Sequence, residues 1–136
     1  MMLGEHGVLN GARCLVAAMD KRLHVELRPR ADAKVLVQAA HGRYESALTE
    51  LQPDPRFRFV VAAVQSMMAE LPAGVELRIT SDFSHKVGLG SSAAVTAAVT
   101  AALNSWCRQR LQTDELFAAC LRIIHAVQGT DRKSVV

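Results

Sequence analysis

The segment Gly88-Leu89-Gly90-Ser91-Ser92-Ala93-Ala94 most strongly constrains how this chain can fold. It follows an alternating apolar run over residues 75–81 that predicts a strand, and it leads into a long run of helix formers that begins at Ser91. Two glycines allow a tight turn without a Cβ in the way of an approaching group. The segment therefore predicts a strand that turns sharply into a helix with small side chains in its first turn.

Such a helix start is suited to an anion. The first backbone N–H groups of a helix have no intrahelical partner, and the helix dipole adds positive potential there. A glycine turn ahead of these groups is a common phosphate site, which points to a nucleotide. The structural alternative is an ordinary strand-to-helix turn with a serine N-cap. A Walker A loop is excluded, because Ser91 stands where that motif has its lysine.

Composition narrows the class of protein. Half of the residues are hydrophobic and only 4% are aromatic, so the core must be built from Ala, Val and Leu. The formal charge of +3 is mild and its Lys and Arg residues are scattered, which argues against a nucleic-acid or membrane partner. The longest apolar run, residues 93–103, is too short to span a bilayer. We expect a cytoplasmic protein.

The cysteines support the same compartment. Cys14, Cys107 and Cys120 are odd in number and widely spaced, with no Cys-x-x-Cys pair. A disulfide framework or a zinc site is therefore not expected. The sequence predicts buried thiols in a reducing cytosol.

The order of elements predicts a two-layer α+β domain. The predicted strands cover residues 14–19, 23–28, 34–39, 43–46 and 75–81, mostly antiparallel, with Pro29 ending the second. Helices are predicted from Asp54-Pro55, from Ser91 and from Thr113, the last capped by that threonine. Strands followed by helices that can cover one face are typical of this class.

Each predicted helix carries an apolar face. The first shows Val60, Val61, Val64, Met67, Met68 and Leu71 at helical spacing. The second shows Val95, Val99, Leu103 and Trp106, and the third shows Leu116, Phe117, Cys120, Leu121 and Ile124. We expect all of these side chains to lie in the core.

Three motifs resemble the GHMP kinase family, which includes galactokinase, homoserine kinase, mevalonate kinase and phosphomevalonate kinase. Gly88 to Ala93 match the core of the family's ATP loop, Pro-x-x-x-Gly-Leu-Gly-Ser-Ser-Ala, with Ser84 in place of its proline. Gly4 to Gly11 resemble the Gly-Glu-His-Ala-Val-x-x-Gly segment of mevalonate-kinase-like members. Val127-Gln128-Gly129 resembles the segment that leads to the family's catalytic aspartate. The resemblance covers almost the whole chain, but only the N-terminal half of a family member.

The resemblance implies a ribosomal-protein-S5-domain-2-like fold and transfer of the γ-phosphate of ATP to an alcohol acceptor, with Mg²⁺ as cofactor. The acceptor implied most directly is mevalonate. Phosphomevalonate, a sugar, or a non-catalytic binding module that shares the fold are the alternatives. No partner protein is implied, and the oligomeric state is open.

The resemblance also assigns residues. Those assigned to ATP are Gly88, Leu89, Gly90, Ser91, Ser92 and Ala93. Lys86, two residues before Gly88, is added to the ATP site because its positive charge attracts phosphate, the alternative being a solvated loop lysine. Ser92 is expected to bind Mg²⁺ through its hydroxyl, and Ser91 to cap the helix and contact phosphate. Glu5 and His6 are expected to face the acceptor, the alternatives being an ion pair for Glu5 and a turn cap for His6.

The ends of the chain give a further expectation. Residues 1–130 resemble an ATP-binding N-terminal domain that is incomplete at both ends, so the family's catalytic lysine and aspartate are expected to lie outside this chain. Residues 131–136 depart from the family pattern and are predicted to be a non-native tail. Asp131 is therefore not assigned as a catalytic base.

Overall fold

The computed structural model describes residues 3–4, 6–84 and 90–133, with side chains as far as Gly129. It has strands β1 (Leu23–Arg30), β2 (Lys34–Ala39), β3 (Gly42–Ala47) and β4 (Gly74–Ser81). Its helices are α1 (Arg58–Met67), α2 (Ser91–Trp106) and α3 (Thr113–Lys133). Short 3-10 helices occur at Gly7–Asn10, Pro55–Phe57 and Met68–Glu70. The predicted α+β class is confirmed.

The strands form one mixed sheet in the order β1-β4-β2-β3. β1 pairs antiparallel with β4, from Leu23 opposite Ser81 to Arg30 opposite Gly74. β2 and β3 form an antiparallel hairpin. β2 also runs parallel to β4, and α1 lies in the connection between them. The predicted predominance of antiparallel pairs is confirmed, and the parallel contact brings the ends of β2 and β4 together.

The start of α1 follows the predicted capping pattern. Asp54 is the N-cap of the 3-10 helix, and its carboxylate accepts the backbone N–H of Arg56 at 2.9 Å. Pro55 occupies the first position, where its missing N–H costs no hydrogen bond. This turn runs directly into α1, so Phe57, which is 2% exposed, is inserted into the core.

The helices cover one face of the sheet. Central β-branched and leucine side chains from β2, β4, α1 and α2 are fully buried there: Val35, Val37, Val64, Val75, Leu77, Val99 and Leu103. The opposite face carries alternating charges, with Glu26 opposite Arg78 and Arg28 opposite Glu76. Within the described part of the chain, every helix is too short or too polar to cross a membrane.

Two strand predictions are corrected. Residues 14–19 form no strand, since the sole pairing there is a single bridge between Leu3 and Leu15, and every one of these residues is exposed. β1 does not stop before Pro29 but continues to Arg30. Proline is tolerated because β1 is an edge strand, where one side of the backbone has no neighbour to bond.

The last helix packs through a face that matches the predicted one only in part, since Leu116, Cys120 and Ile124 are half-buried. Phe117 and Leu121 are 66% and 40% exposed, whereas Ala119 and Ile123 are buried. Thr113 is already helical, and the Glu115 carboxylate reaches back to accept the N–H of Gln112 at 2.8 Å. The prediction that Thr113 caps this helix is therefore wrong.

The three cysteines differ in burial, so the prediction of buried thiols holds only in part. Cys107 is buried as predicted, but Cys14 is exposed and Cys120 is half-buried. The backbone of α3 continues to Lys133, and the prediction of a non-native tail over residues 131–136 stays a prediction.

Candidate functional site

The start of α2 is shaped by Gly90. This residue has φ +78° and ψ +32°, in the left-handed region, and it is the N-cap of α2. A Cβ at Gly90 would meet no atom within 4 Å, so the backbone conformation, and not space, requires glycine. The first helical hydrogen bond runs from the Ala94 N–H to the Gly90 carbonyl at 3.0 Å. The prediction that Ser91 caps the helix is wrong, because Gly90 takes that position without a side chain.

Among the described residues, no partner takes up the first backbone N–H groups and serine hydroxyls of α2. The N–H groups of Ser91, Ser92 and Ala93 precede the first intrahelical bond. The Ser91 and Ser92 side chains are half-buried, and neither hydroxyl donates to a described residue. The buried Thr96 hydroxyl donates to the Ser92 carbonyl at 2.7 Å and fixes this turn from behind. Three amides and two hydroxyls therefore stand at one helix end.

A cleft of about 900 Å³ opens beside this helix start. Its apolar lining comes from the sheet and from α1 and α2: Leu23, Ala39, Phe57, Phe59, Val60, Ile79 and Val95. Its polar lining comes from the β2–β3 turn, the turn before α1, the end of β4 and the start of α2: His41, Arg56, Arg58, Ser81, Asp82, Ser84, Ser91 and Ser92. The cleft thus combines an apolar interior with groups that can contact a charged ligand.

An imidazole and two guanidinium groups lie on the side of the cleft formed by the β2–β3 turn and the start of α1. His41 stacks on Phe57 with ring centroids 4.8 Å apart, and its Nε2 lies 3.2 Å from the Arg56 carbonyl oxygen. The Arg56 guanidinium lies 5.4 Å from the Phe57 ring centroid, and that of Arg58 lies 5.3 Å from the Phe59 centroid. These stacked, planar groups are suited to a flat ligand that also carries negative charge.

The guanidinium of Arg56 forms an ion pair with the carboxylate of Asp54. Arg56 donates to Asp54 through Nη2 at 2.9 Å and Nε at 3.2 Å. The hydrogen bonds from the Arg56 side chain and backbone lower the pKa of Asp54, and the same pair raises the pKa of Arg56. The pairing fixes the guanidinium in place at the cleft.

The structure brings part of the predicted ATP site together. Gly90, Ser91 and Ser92 meet at the start of α2, and both serines line the cleft. Ala93 is exposed and does not line it. His6 is exposed at the start of a 3-10 helix, where its side chain forms no cap, and it too is absent from the cleft lining.

Four further residues predicted as site residues, Glu5, Lys86, Gly88 and Leu89, lie outside the described residues. In the described parts of the chain, no three His, Cys, Asp or Glu side chains cluster in a way that could hold a metal ion. The assignment of Ser92 to Mg²⁺ stays a prediction.

Sequence reasoning missed the contribution of His41, Arg56 and Arg58 to the cleft. The Asp54-Pro55 signal correctly located the turn that carries Arg56 and leads to Arg58. Nothing local indicated that this turn faces the start of α2, because that proximity follows from the parallel pairing of β2 with β4.

Two solved structures that share this fold are mevalonate kinases. The crystal structure of the Methanococcus jannaschii mevalonate kinase aligns with a TM-score of 0.68 at 19% identity, over 77% of this chain and 37% of that one. A second mevalonate kinase crystal structure aligns with a TM-score of 0.73 at 19% identity, over 93% of this chain and 44% of that one. The fold is therefore the one found in mevalonate kinase structures.

The sequence gives the family. The model of the GHMP kinases N terminal domain matches residues 58–133, which is more than half of the chain. The chain belongs to the GHMP kinase family. It is 34% identical over 131 residues to a mevalonate kinase of Archaeoglobus fulgidus, covering 95% of this chain and 43% of that relative. It is 27% identical over 143 residues to that of Thermococcus sibiricus, again covering 43% of the relative. The chain spans less than half the length of these relatives.

Proposed function

We propose that this chain supplies the nucleotide-binding part of an ATP-dependent kinase that phosphorylates an alcohol, with mevalonate as the acceptor. The observation that carries the proposal is the start of α2, where a left-handed Gly90 presents open backbone amides and two serine hydroxyls at the edge of a cleft. The relatives named mevalonate kinase support the choice of acceptor.

The arrangement suits both parts of a nucleotide. Amides at a helix N-terminus stabilise phosphate by hydrogen bonds and by the helix dipole. The neighbouring cleft, at about 900 Å³, is within the size range of small-molecule sites and has an apolar interior for a planar base. Arg56 and Arg58 add positive charge along its side. We therefore place the phosphates at Ser91 and Ser92 and the base toward His41.

Phosphoryl transfer depends mainly on positioning and on neutralising charge, and Mg²⁺, when bound, supplies part of that neutralisation. Hydroxyl oxygen suits Mg²⁺, which also retains waters and phosphate oxygens as ligands. The Ser92 hydroxyl fits that requirement, since it does not donate to a described residue. By resemblance, Gly88 and Leu89 join the nucleotide site, and Glu5 and His6 face the acceptor. Lys86 is placed at the nucleotide site because of its positive charge, two residues before Gly88.

The test is binding of Mg·ATP to the chain by isothermal titration calorimetry. Ser92→Ala should weaken binding about tenfold, because it removes one contact to the charged metal–phosphate group, worth roughly 1.4 kcal/mol. Ser105→Ala is the matched control, since this serine lies on the same helix but its hydroxyl donates to the Ala102 carbonyl at 2.6 Å. Absence of Mg·ATP binding by the wild-type chain would exclude the proposal.

The acceptor is tested on the complete gene product. A panel of mevalonate, phosphomevalonate and a hexose, each with Mg·ATP, should show turnover with mevalonate. Turnover with a different alcohol would keep the kinase assignment and replace the acceptor. For residues 1–136 alone we expect nucleotide binding without turnover.

A further inference from the structure

At the end of the β1–β4 pairing, the side chain of Asp82 accepts a backbone hydrogen bond. Leu23 and Ser81 are the last regular pair, and Arg22 and Asp82 come next. The Asp82 N–H donates to the Arg22 carbonyl at 2.9 Å, as in a regular antiparallel pair. The return bond differs, because the Arg22 N–H donates to the Asp82 Oδ2 at 3.2 Å. The carboxylate takes the place of the Asp82 backbone carbonyl, so the chain can leave the strand without losing the bond.

A second side chain fixes the direction of this exit. The Ser81 hydroxyl donates to the Phe83 carbonyl at 2.8 Å and accepts the Phe83 N–H at 3.2 Å. Ser81, Asp82, Phe83 and Ser84 all line the cleft beside α2. The path from β4 toward the glycine segment is therefore set by hydrogen bonds of two consecutive side chains.

Arg22 also ends the segment that carries His6. Within residues 3–22 the other hydrogen bonds between described residues are local, such as the two exchanged by Leu3 and Leu15 and the bond from the Val8 N–H to the Gly4 carbonyl. Residues 11–22 are all exposed. Among hydrogen bonds between described residues, those joining Arg22 and Asp82 connect this segment to the sheet.

We propose that Asp82 is a positioning residue that holds the approach to the nucleotide site and the N-terminal segment, residues 3–22, in a fixed relation through the backbone of Arg22. This role rests on the proposed function, since it assumes that Mg·ATP binds at the start of α2. Loss of the carboxylate removes one of the two bonds between Arg22 and Asp82 and one of the two side chains that fix the exit of β4. It therefore loosens the N-terminal segment and weakens nucleotide binding in the same variant.

The experiment compares Asp82→Ala and Asp82→Asn in the full chain. Asparagine keeps an acceptor oxygen for the Arg22 N–H but removes the charge, so it separates the hydrogen bond from the charge. Asp20→Ala is the control, because Asp20 is an exposed carboxylate of the same segment with no hydrogen bond or ion pair to a described residue. Hydrogen exchange of the Arg22 amide and the Kd for Mg·ATP are measured for each variant, with circular dichroism as the check of folding.

In Asp82→Ala we expect exchange of the Arg22 amide to accelerate and Mg·ATP binding to weaken, each by roughly threefold to tenfold, the range for one net hydrogen bond. Asp82→Asn and Asp20→Ala should remain within about twofold of wild type in both measurements, below the smallest effect of losing that bond. If Asp82→Ala does not fold, a wild-type-like Asp82→Asn still supports the role of the acceptor oxygen.

Three results would overturn the positioning role: unchanged exchange in Asp82→Ala, faster exchange with unchanged Kd, or an Asp82→Asn variant that behaves like Asp82→Ala. If the wild-type chain binds no Mg·ATP, the proposed function fails and the positioning role fails with it. The exchange data still show in that case whether Asp82 protects Arg22, so the two failures are distinguished.

Discussion

Residues 23–129 and the N-terminal segment are stabilised by different interactions. The larger region buries a continuous core, in which Val37, Val64 and Leu77 have no exposed surface. In the N-terminal segment, Leu9 and Val16 are 73% and 65% exposed. Between described residues, its hydrogen bonds are short-range backbone bonds and the bonds that join Arg22 to Asp82.

The two regions therefore contribute differently to stability: the core unfolds cooperatively, whereas the N-terminal segment is ordered by local bonds. A buried apolar side chain contributes to the free energy of unfolding of the whole domain. A locally bonded, exposed segment can open without unfolding the rest, at a much smaller free energy. The N-terminal segment carries His6, so a residue predicted to face the acceptor lies in the less stable region, while the start of α2 is attached to the core.

The largest contrast is expected for one substitution made in both regions. Leu77→Ala should lower the free energy of unfolding by about 2–5 kcal/mol, because it leaves a cavity in the central strand. Leu9→Ala should change it by less than about 0.5 kcal/mol, since its side chain is exposed. Urea unfolding followed by circular dichroism measures both. Similar losses in the two variants would show that the N-terminal segment belongs to the cooperative core.

Two glycines allow the same comparison for backbone strain. Gly90 and Gly11 have φ +78° and +81°, and a Cβ at either would meet no atom within 4 Å. Gly90→Ala should cost about 1–2 kcal/mol of unfolding free energy, because α2 must retain its left-handed cap. Gly11→Ala imposes equal strain, but the N-terminal segment can relieve it by rearranging, so thermal unfolding should be almost unchanged. A comparable fall in Tm for both variants would contradict this difference.

The reactivity of one cysteine in each region provides a further comparison of the N-terminal segment with the core. Cys14 is exposed, whereas Cys107 is buried, and burial followed by the nearby charge of Glu70 raises the pKa of the Cys107 thiol. A higher pKa leaves less of the reactive thiolate at neutral pH. Alkylation by iodoacetamide at pH 7.5 should therefore be at least about tenfold slower at Cys107 than at Cys14, as measured by mass spectrometry of the labelled peptides. Equal rates would mean that the core opens as readily as the N-terminal segment.

The smallest expected effect is on the pH dependence of the free energy of unfolding. The pKa of Asp54 is lowered by its bonds to Arg56, so its stabilising contribution is present above its ordinary pKa and is lost as the pH falls through the lowered value. Between pH 5 and pH 2, Asp54→Asn should thus lose less stability than wild type. Asp20→Asn, which removes a carboxylate that makes no hydrogen bond or ion pair to a described residue, is the control measured over the same pH range. The effect is small because exposed ion pairs contribute little.

Local signals predicted the elements that have a strong local cause. The strand predicted over residues 34–39 forms β2 with these bounds, and the Asp54-Pro55 pair located the turn before α1. The glycine-serine segment predicted the start of α2 at Ser91. It did not identify Gly90 as the N-cap, because Gly90 and Ser91 are both residue types that favour this position. The positive φ angle of Gly90 decides between them.

Predictions failed where partners decide the outcome. The apolar run over residues 14–19 resembles a strand, but a strand needs a neighbour along its length and these residues make one bridge. Helix α3 is apolar on two sides, so spacing alone could not choose between Phe117 and Ile123 as the buried position. The cationic side of the cleft depends on a long-range parallel pairing that leaves no local trace in the sequence.

The strand order also determines when each part of the sheet can assemble during synthesis. β1 pairs with β4, and Leu23 lies opposite Ser81, 58 residues later in the chain. At typical elongation rates the ribosome needs about 3–12 s to add that length. The β2–β3 hairpin can form first. Until β4 is synthesised, Leu23, Val25 and Leu27 of β1 lack the strand with which they pair. β1 is therefore synthesised well before the strand that completes its hydrogen bonds.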